Sequence, residues 1–192
     1  MPRTKTLSDE QVLDAALKLL HESGPEALTF ERVARACGLS AATLVQRFRS
    51  KAGLKQSTLL LAWDRLDEKT AQLAATVPKT PDGAVELLVA LSSDYGGIET
   101  YAEGLLVLRE DLRDPLLRSR GAAWKAALSS ALEGCFSQVR HAPQGIGLLT
   151  ASQWQGTLLW WSFDPQGSLE SYVEASLRRF IYAIVVSGAA GS

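Results

Sequence analysis

Thr29-Phe30-Glu31-Arg32-Val33-Ala34-Arg35-Ala36-Cys37-Gly38-Leu39-Ser40-Ala41-Ala42-Thr43-Leu44-Val45-Gln46-Arg47-Phe48-Arg49-Ser50-Lys51 is the stretch that decides the fold. It reads as a helix, a tight turn at Gly38 and a second short helix opened by Ser40. Phe30, Val33, Ala34 and Cys37 line one face of the first helix, and Leu44 and Phe48 one face of the second. Ala34 is small enough to let two helices approach. Gly38, four residues on, supplies the turn conformation, and Leu44, ten residues on, plugs the interface. This helix-turn-helix spacing leaves Thr43, Gln46 and Arg47 projecting outward. A helix presented in that way fits the major groove of DNA.

The flanks extend the pattern. Ser8 caps a helix before the motif, Gln11 closes a capping box, and Leu7 staples onto Val12. Leu13, Ala16, Leu17 and Leu20 form its apolar stripe, and Asp14, Lys18 and Glu22 its wet face. Gly24-Pro25 ends it. Thr29 caps the second helix, Ser40 the third, and Ser50 a long fourth that runs to about Val77, before Pro78 and Pro81. Further helices are predicted over 82–94, 98–112, 115–140, 146–162 and 168–187, with breaks at Gly96-Gly97, Asp114-Pro115, Pro143-Gln144-Gly145 and Pro165-Gln166-Gly167. The fold class is therefore all-α. A three-helix head is joined by a long helix to a helical body. The expected division is 1–50 for the head (arm 1–7), 51–187 for the body and 188–192 for a disordered tail.

The chain of 192 residues is 46% hydrophobic and 21% charged, with net charge −1. Charge distribution says more than its total. Residues 1–56 hold nine lysines and arginines against six acids, and the remainder is acidic. A basic head on an acidic body suits local phosphate binding. Cys37 and Cys135 lie far apart, and His21 and His141 have no ligand neighbours, so neither a disulfide framework nor a metal site is expected. Cys37 reads as a packed thiol. No apolar run reaches the length of about 18 residues that a membrane span needs, and the start lacks an apolar signal core. A cytoplasmic location is expected. No Ser/His/Asp set, phosphate loop or paired inward carboxylates appear, so no enzyme and no cofactor is expected.

The motif, the amphipathic helix before it, and Phe48-Arg49-Ser50-Lys51 followed by a long apolar-rich helix resemble the TetR family of transcriptional regulators. The resemblance covers roughly residues 7–64 and is architectural beyond that. This chain has Val45 where the family usually has tyrosine, Ala42 where glycine is common, and Ala52-Gly53 where acids usually follow. The resemblance implies a homodimer that binds a palindromic double-stranded DNA operator and is released by a small molecule. Thr43, Gln46 and Arg47 are expected to approach bases. Thr29, Ser40, Arg49 and Lys51 are expected to hold phosphates, with Arg3 and Lys5 adding contacts from the arm.

The family pattern also implies a ligand cavity in the body, with Tyr95, Tyr101, Leu105, Trp124, Leu128 and Trp154 as lining candidates and Leu88, Leu91 and Leu108 beside them. Few charged groups fall on inward stripes, so the effector is expected to be largely apolar or aromatic. Glu99, Glu103 and Glu110 read as a solvated face. The last two helices carry more apolar surface than one subunit buries. One reading is a core packed on both sides within the monomer. The resemblance implies instead a dimer interface of Leu158, Trp161, Leu177, Phe180, Ile181 and Ile184, and that is the expectation. The competing reading is a binding or scaffold protein that kept the fold without sequence-specific DNA recognition.

Overall fold

The computed structural model describes residues 7–190, leaving aside the side chains of Asp94 and of residues 185–190. Among them are nine α-helices and no strand: α1 Asp9–Ser23, α2 Phe30–Cys37, α3 Ala41–Phe48, α4 Lys51–Thr76, α5 Pro81–Ser92, α6 Ile98–Arg113, α7 Pro115–Cys135, α8 Ile146–Phe163 and α9 Leu169–Ala190. Short 3-10 turns follow α1 and α5. Two boundaries differ from the sequence expectation. Helix α7 stops at Cys135 rather than near residue 140, and α9 continues through residues 188–190, which the expected tail included. Ala189 and Ala190 favour the helix enough to carry it past Gly188. The rest of the tail and residues 1–6 of the expected arm lie outside the described residues.

The chain forms two compact units that cut across the expected division at residue 50. One unit takes the residues up to Arg65 together with Ala102–Gly121; the other takes Leu66–Tyr101 together with the residues from Ala122 onward. The division is discontinuous because α4, α6 and α7 each contribute residues to both cores.

The first unit is built from short capped helices. Ser8 and Gln11 complete the capping box at α1, Thr29 accepts from the Arg32 N–H at α2, and Ser40 accepts from the Thr43 N–H at α3. These caps satisfy donors that an eight-residue helix has too few turns to hide. Val12, Leu20, Leu28, Val33, Leu44, Leu54, Leu59 and Leu117 are buried together. Each fully buried leucine stabilises by about 2 kcal/mol.

In the second unit, α5, α8 and α9 pack into one cluster around Leu87, Leu88, Trp154, Leu158, Val173 and Leu177. The Trp154 indole donates to Ser92 Oγ at 2.8 Å, and Trp124 to Thr70 Oγ1 at 2.9 Å. Thr157 and Ser176 share a hydroxyl contact of 2.9 Å between α8 and α9. Arg178 on α9 holds Asp82 on α5 and Glu174 on its own helix. The indole N–H of Trp161 is buried without an acceptor among the described residues.

Candidate nucleic-acid interface

Gly38 adopts φ 67°, ψ 32°, the left-handed conformation that turns α2 into α3, and nothing lies within 4 Å of where a Cβ would point. Glycine is demanded there by backbone conformation and not by space. The Leu39 N–H reaches the Ala34 carbonyl at 2.9 Å across the turn. Ala34 and Leu44 are buried between the two helices, as their spacing predicts. The Cys37 thiol packs beside them. Burial pushes it up more than the nearby Arg47 pulls it down, which suits a packed thiol rather than a reactive one.

The outward face of α3 carries Ala42, Val45, Gln46 and Arg49, all exposed, with Thr43 half-buried at its edge. Thr43 Oγ1 lies 2.8 Å from Ser40 Oγ, so the cap and the side chain share one hydroxyl contact. Arg47 departs from expectation. Its guanidinium turns back to donate to the Leu7 carbonyl at 2.7 Å and to Asp9 at 3.3 Å, instead of projecting freely. Helical spacing explains the difference: Arg47 lies one turn beyond the half-buried Thr43, on the flank facing the start of α1. Val45, which is 44% exposed, and Ala42 join this face although the sequence pattern does not single them out. The helical spacing that puts residues 42, 45 and 46 on one face is the signal that finds them.

Arg49 ends α3 with φ 68°, ψ −47°. The Ser50 N–H donates back to the Phe48 carbonyl at 2.7 Å, closing a γ-turn with Arg49 at its apex. This handed form is rare and strained for a residue with a side chain. The first turn of α4 fits tightly beneath it: a Cβ on Gly53 would stand 2.4 Å from the Phe48 carbonyl oxygen. Gly53, unexplained by the sequence pattern, is what lets α4 start there. Its N–H bonds Ser50 Oγ at 3.0 Å. Lys51 opens α4 and reaches Glu26 at 3.3 Å while staying exposed. Thr29, Ser40, Arg49 and Lys51 thus sit at the ends of α2, α3 and α4, whereas Arg3 and Lys5 lie outside the described residues.

In the body, Tyr95, Tyr101, Trp124 and Trp154 come together: ring centroids lie 5.8 Å apart for Tyr95–Tyr101, 6.1 Å for Tyr95–Trp154 and 6.4 Å for Trp124–Trp154. Leu128 is buried in the same cluster. Leu105 is not among them; it is exposed on α6 in the other unit. Glu110 is likewise not on a solvated face, because Lys55 of α4 pairs with it and holds its carboxyl below the usual range.

The residues of the expected dimer face divide in the structure. Leu158, Trp161, Leu177 and Ile181 are buried within the chain, because they form the stripes by which α8 and α9 close on their own unit. Phe180 and Ile184 are half-buried. The exposed apolar surface lies one position around, at Leu159, Trp160, Phe163 and Tyr182, with the rings of Trp160 and Phe163 6.0 Å apart. Among the described residues no helix is long and apolar enough to cross a membrane, and no group of three His, Cys, Asp or Glu is placed to hold a metal ion.

Residues 12–57 match the family described as bacterial regulatory proteins, tetR family. No curated protein matches the sequence. Solved structures match along nearly the whole chain. A transcriptional regulator from Rhodococcus sp. Rha1 is 17% identical with a TM-score of 0.74, covering 94% of this chain and 97% of its own. The TetR family transcriptional regulator PfmR from Thermus thermophilus is 22% identical with a TM-score of 0.58, over 88% and 95%. The multidrug binding protein EbrR, solved with proflavin, is 21% identical with a TM-score of 0.59, over 88% and 97%. Residues 12–57 are thus similar to the bacterial regulatory proteins of the tetR family, and the chain carries the fold of the solved TetR-family transcriptional regulators.

Proposed function

We propose that the chain is a homodimeric, cytoplasmic repressor that binds a palindromic DNA operator and leaves it when a small, largely apolar or aromatic ligand enters the body. The observation that carries the DNA reading is the outward face of α3. It presents Gln46 and Thr43 as hydrogen-bonding groups and Val45 as an apolar contact for a thymine methyl. Arg49, Lys51, Thr29 and Ser40 serve phosphates at the helix ends. Arg47 acts here as a brace between α3 and the start of α1. Leu159, Trp160, Phe163 and Tyr182, with the partly buried Phe180 and Ile184, form the dimer face in this reading.

The aromatic cluster of Tyr95, Tyr101, Trp124 and Trp154, with Leu128, is the proposed ligand wall. The proflavin bound to EbrR supports an aromatic effector. Helix α4 contributes to both units. A ligand that shifts it changes the spacing of the two recognition helices, which must stay about 34–36 Å apart to enter successive major grooves.

Selection of bound duplexes from a random DNA pool tests the proposal: an enriched palindrome is the expected outcome. Loss of enrichment on Gln46→Ala, with the dimer intact, assigns base reading to α3. Ligands found by thermal shift are then titrated with and without operator, and linkage requires equal and opposite effects on the two affinities. The brace formed by Arg47 favours one second reading, a scaffold that keeps the fold without base recognition. A pool from which no sequence is enriched, despite salt-sensitive binding, selects that reading.

A further inference from the structure

We propose that the outer face of α6 is a docking surface for an amphipathic helix of a partner protein that carries acidic residues along one flank. Leu105, Leu108 and Leu112 follow one another at i, i+3 and i+7, and Leu116 continues the row at the start of α7. All four are between 42% and 59% exposed. Arg109 and Arg113, one turn apart, border the leucines, and together the five α6 residues line an open groove of about 570 Å³. The opposite side of α6 is already committed within the first unit. There Glu110 pairs with Lys55, Asp111 accepts from the Trp63 indole at 3.2 Å, and Val107 packs on the core. The leucine face is therefore not required for the fold of that unit.

The shape and charge of this face select its occupant. A single helix lines the groove, so a small molecule would keep most of its surface in water, unlike ligands in enclosed sites. A helix laid along α6 instead covers the whole leucine row, at the spacing by which helices pair. The groove is lined by two arginines and no acid. Arg109 also reaches its neighbour Glu110 at 3.3 Å while staying exposed, and the cationic rim calls for acidic flanking residues. A bilayer is a poor match: lipid-binding segments gather more basic residues than two, and the adjoining polar groove, which shares Arg109 and Arg113 and includes Lys55, also holds Glu26, Glu110 and Asp114. Antiparallel pairing with a second copy would set the arginine flank of one α6 against the arginine flank of the other, a repulsive arrangement.

The test uses the full chain and two fluorescent designed peptides of about five helical turns. Both have leucines at i, i+3 and i+7; one carries glutamates on the flank, the other lysines. Fluorescence anisotropy at low ionic strength should show the glutamate peptide binding about tenfold more tightly, from two attractive rim pairs replaced by two repulsive ones. Arg109→Glu with Arg113→Glu should reverse the preference. Leu108→Asp with Leu112→Asp should abolish binding of both peptides while the melting temperature stays within a few degrees, since both side chains are exposed. Equal affinities for the two peptides, no binding of either, or binding that survives the leucine variants would overturn the proposal. So would a lower oligomeric mass in the leucine variants, which identifies a second copy as the occupant. Arginine-dependent binding to anionic vesicles without peptide binding would assign the face to membranes instead.

Discussion

Helices α2 and α3 of the first unit are eight residues each and begin at side-chain caps, whereas α8 of the second unit runs for eighteen residues from Gly145 with no side-chain cap. The short helices carry a single apolar stripe each; α8 has apolar residues on every side, from Ile146, Leu148 and Leu149 to Trp160, Trp161 and Phe163. A short helix has few internal hydrogen bonds, so its ends and its buried face must be specified by individual residues. A long helix gripped by two neighbours is stable with little local instruction, and its sequence leaves open which apolar residues turn inward.

This contrast predicts a large difference between neighbouring positions on α8. Leu158→Asp buries an unpaired charge and should unfold the second unit, at a cost of several kcal/mol. Trp160→Asp and Phe163→Asp, at positions 67% and 74% exposed, should leave the fold of the unit intact and, on the proposed dimer face, shift sedimentation from dimer to monomer. Equal melting losses at positions 158 and 160 would erase the distinction between the two faces.

The first unit has its own buried exception to simple apolar packing. Asp111 is buried against Trp63, and burial, with Glu110 and Asp114 nearby, pushes its carboxyl up to about 6 although the Trp63 N–H pulls the other way. Because the folded value lies above the unfolded one, this group favours the folded state most below about pH 4, and that contribution is lost as the pH rises through about 6. The loss is on the order of 2–3 kcal/mol. Asp111→Asn keeps the acceptor for Trp63 and should remove this pH dependence and raise stability at pH 8. Chemical denaturation across pH 4–8 measures it; an unchanged profile would show that Asp111 is not the titrating group.

Within the head, crowding should outweigh conformation. Gly53→Ala collides with the Phe48 carbonyl and should cost about 1–3 kcal/mol. Gly38→Ala meets no neighbour and should cost about 1 kcal/mol, from its left-handed backbone alone. Urea midpoints that rank the two the other way would place the tighter constraint at the helix-turn-helix turn. The smallest effect belongs to the Arg47 brace. Arg47→Ala should destabilise by about 1 kcal/mol, and it should weaken binding to operator and to random DNA alike. A selective loss on operator, read by anisotropy, would return Arg47 to base contact.

What the sequence makes legible follows the same division. Ser8, Thr29, Ser40, Gly38, Ala34 and Leu44 occupy the roles their spacing predicts, because caps and turns are local chemistry. Arg47 escapes its spacing because a long side chain chooses between solvent and a carbonyl forty residues away in the chain. Gly53 is opaque because its neighbour is a backbone oxygen placed by a γ-turn. On α8 apolar residues occur on every side, so the sequence does not tell that the residues at 158 and 161, with those at 177 and 181 of α9, face the chain's own core. The neighbouring Trp160 and Phe163 stand out only once the packing partners are known.

The γ-turn at Arg49 also bears on how chain length can vary along this molecule. Only Arg49 and Ser50 separate the end of α3 from the start of α4, and a bond from Ser50 to Phe48 takes up the slack between them. One residue inserted here breaks the i to i+2 bond and re-aims the start of α4 relative to α3, and one removed eliminates the turn. The stretch between α7 and α8, from Phe136 to Gly145, is longer and is held by successive turns, the Val139 N–H to the Phe136 carbonyl and the Ala142 N–H to the Val139 carbonyl among them. A change of one residue there can be absorbed by re-forming a turn. Insertions and deletions are therefore expected to accumulate there, while the joint behind the recognition helix keeps a fixed length even where its residues change.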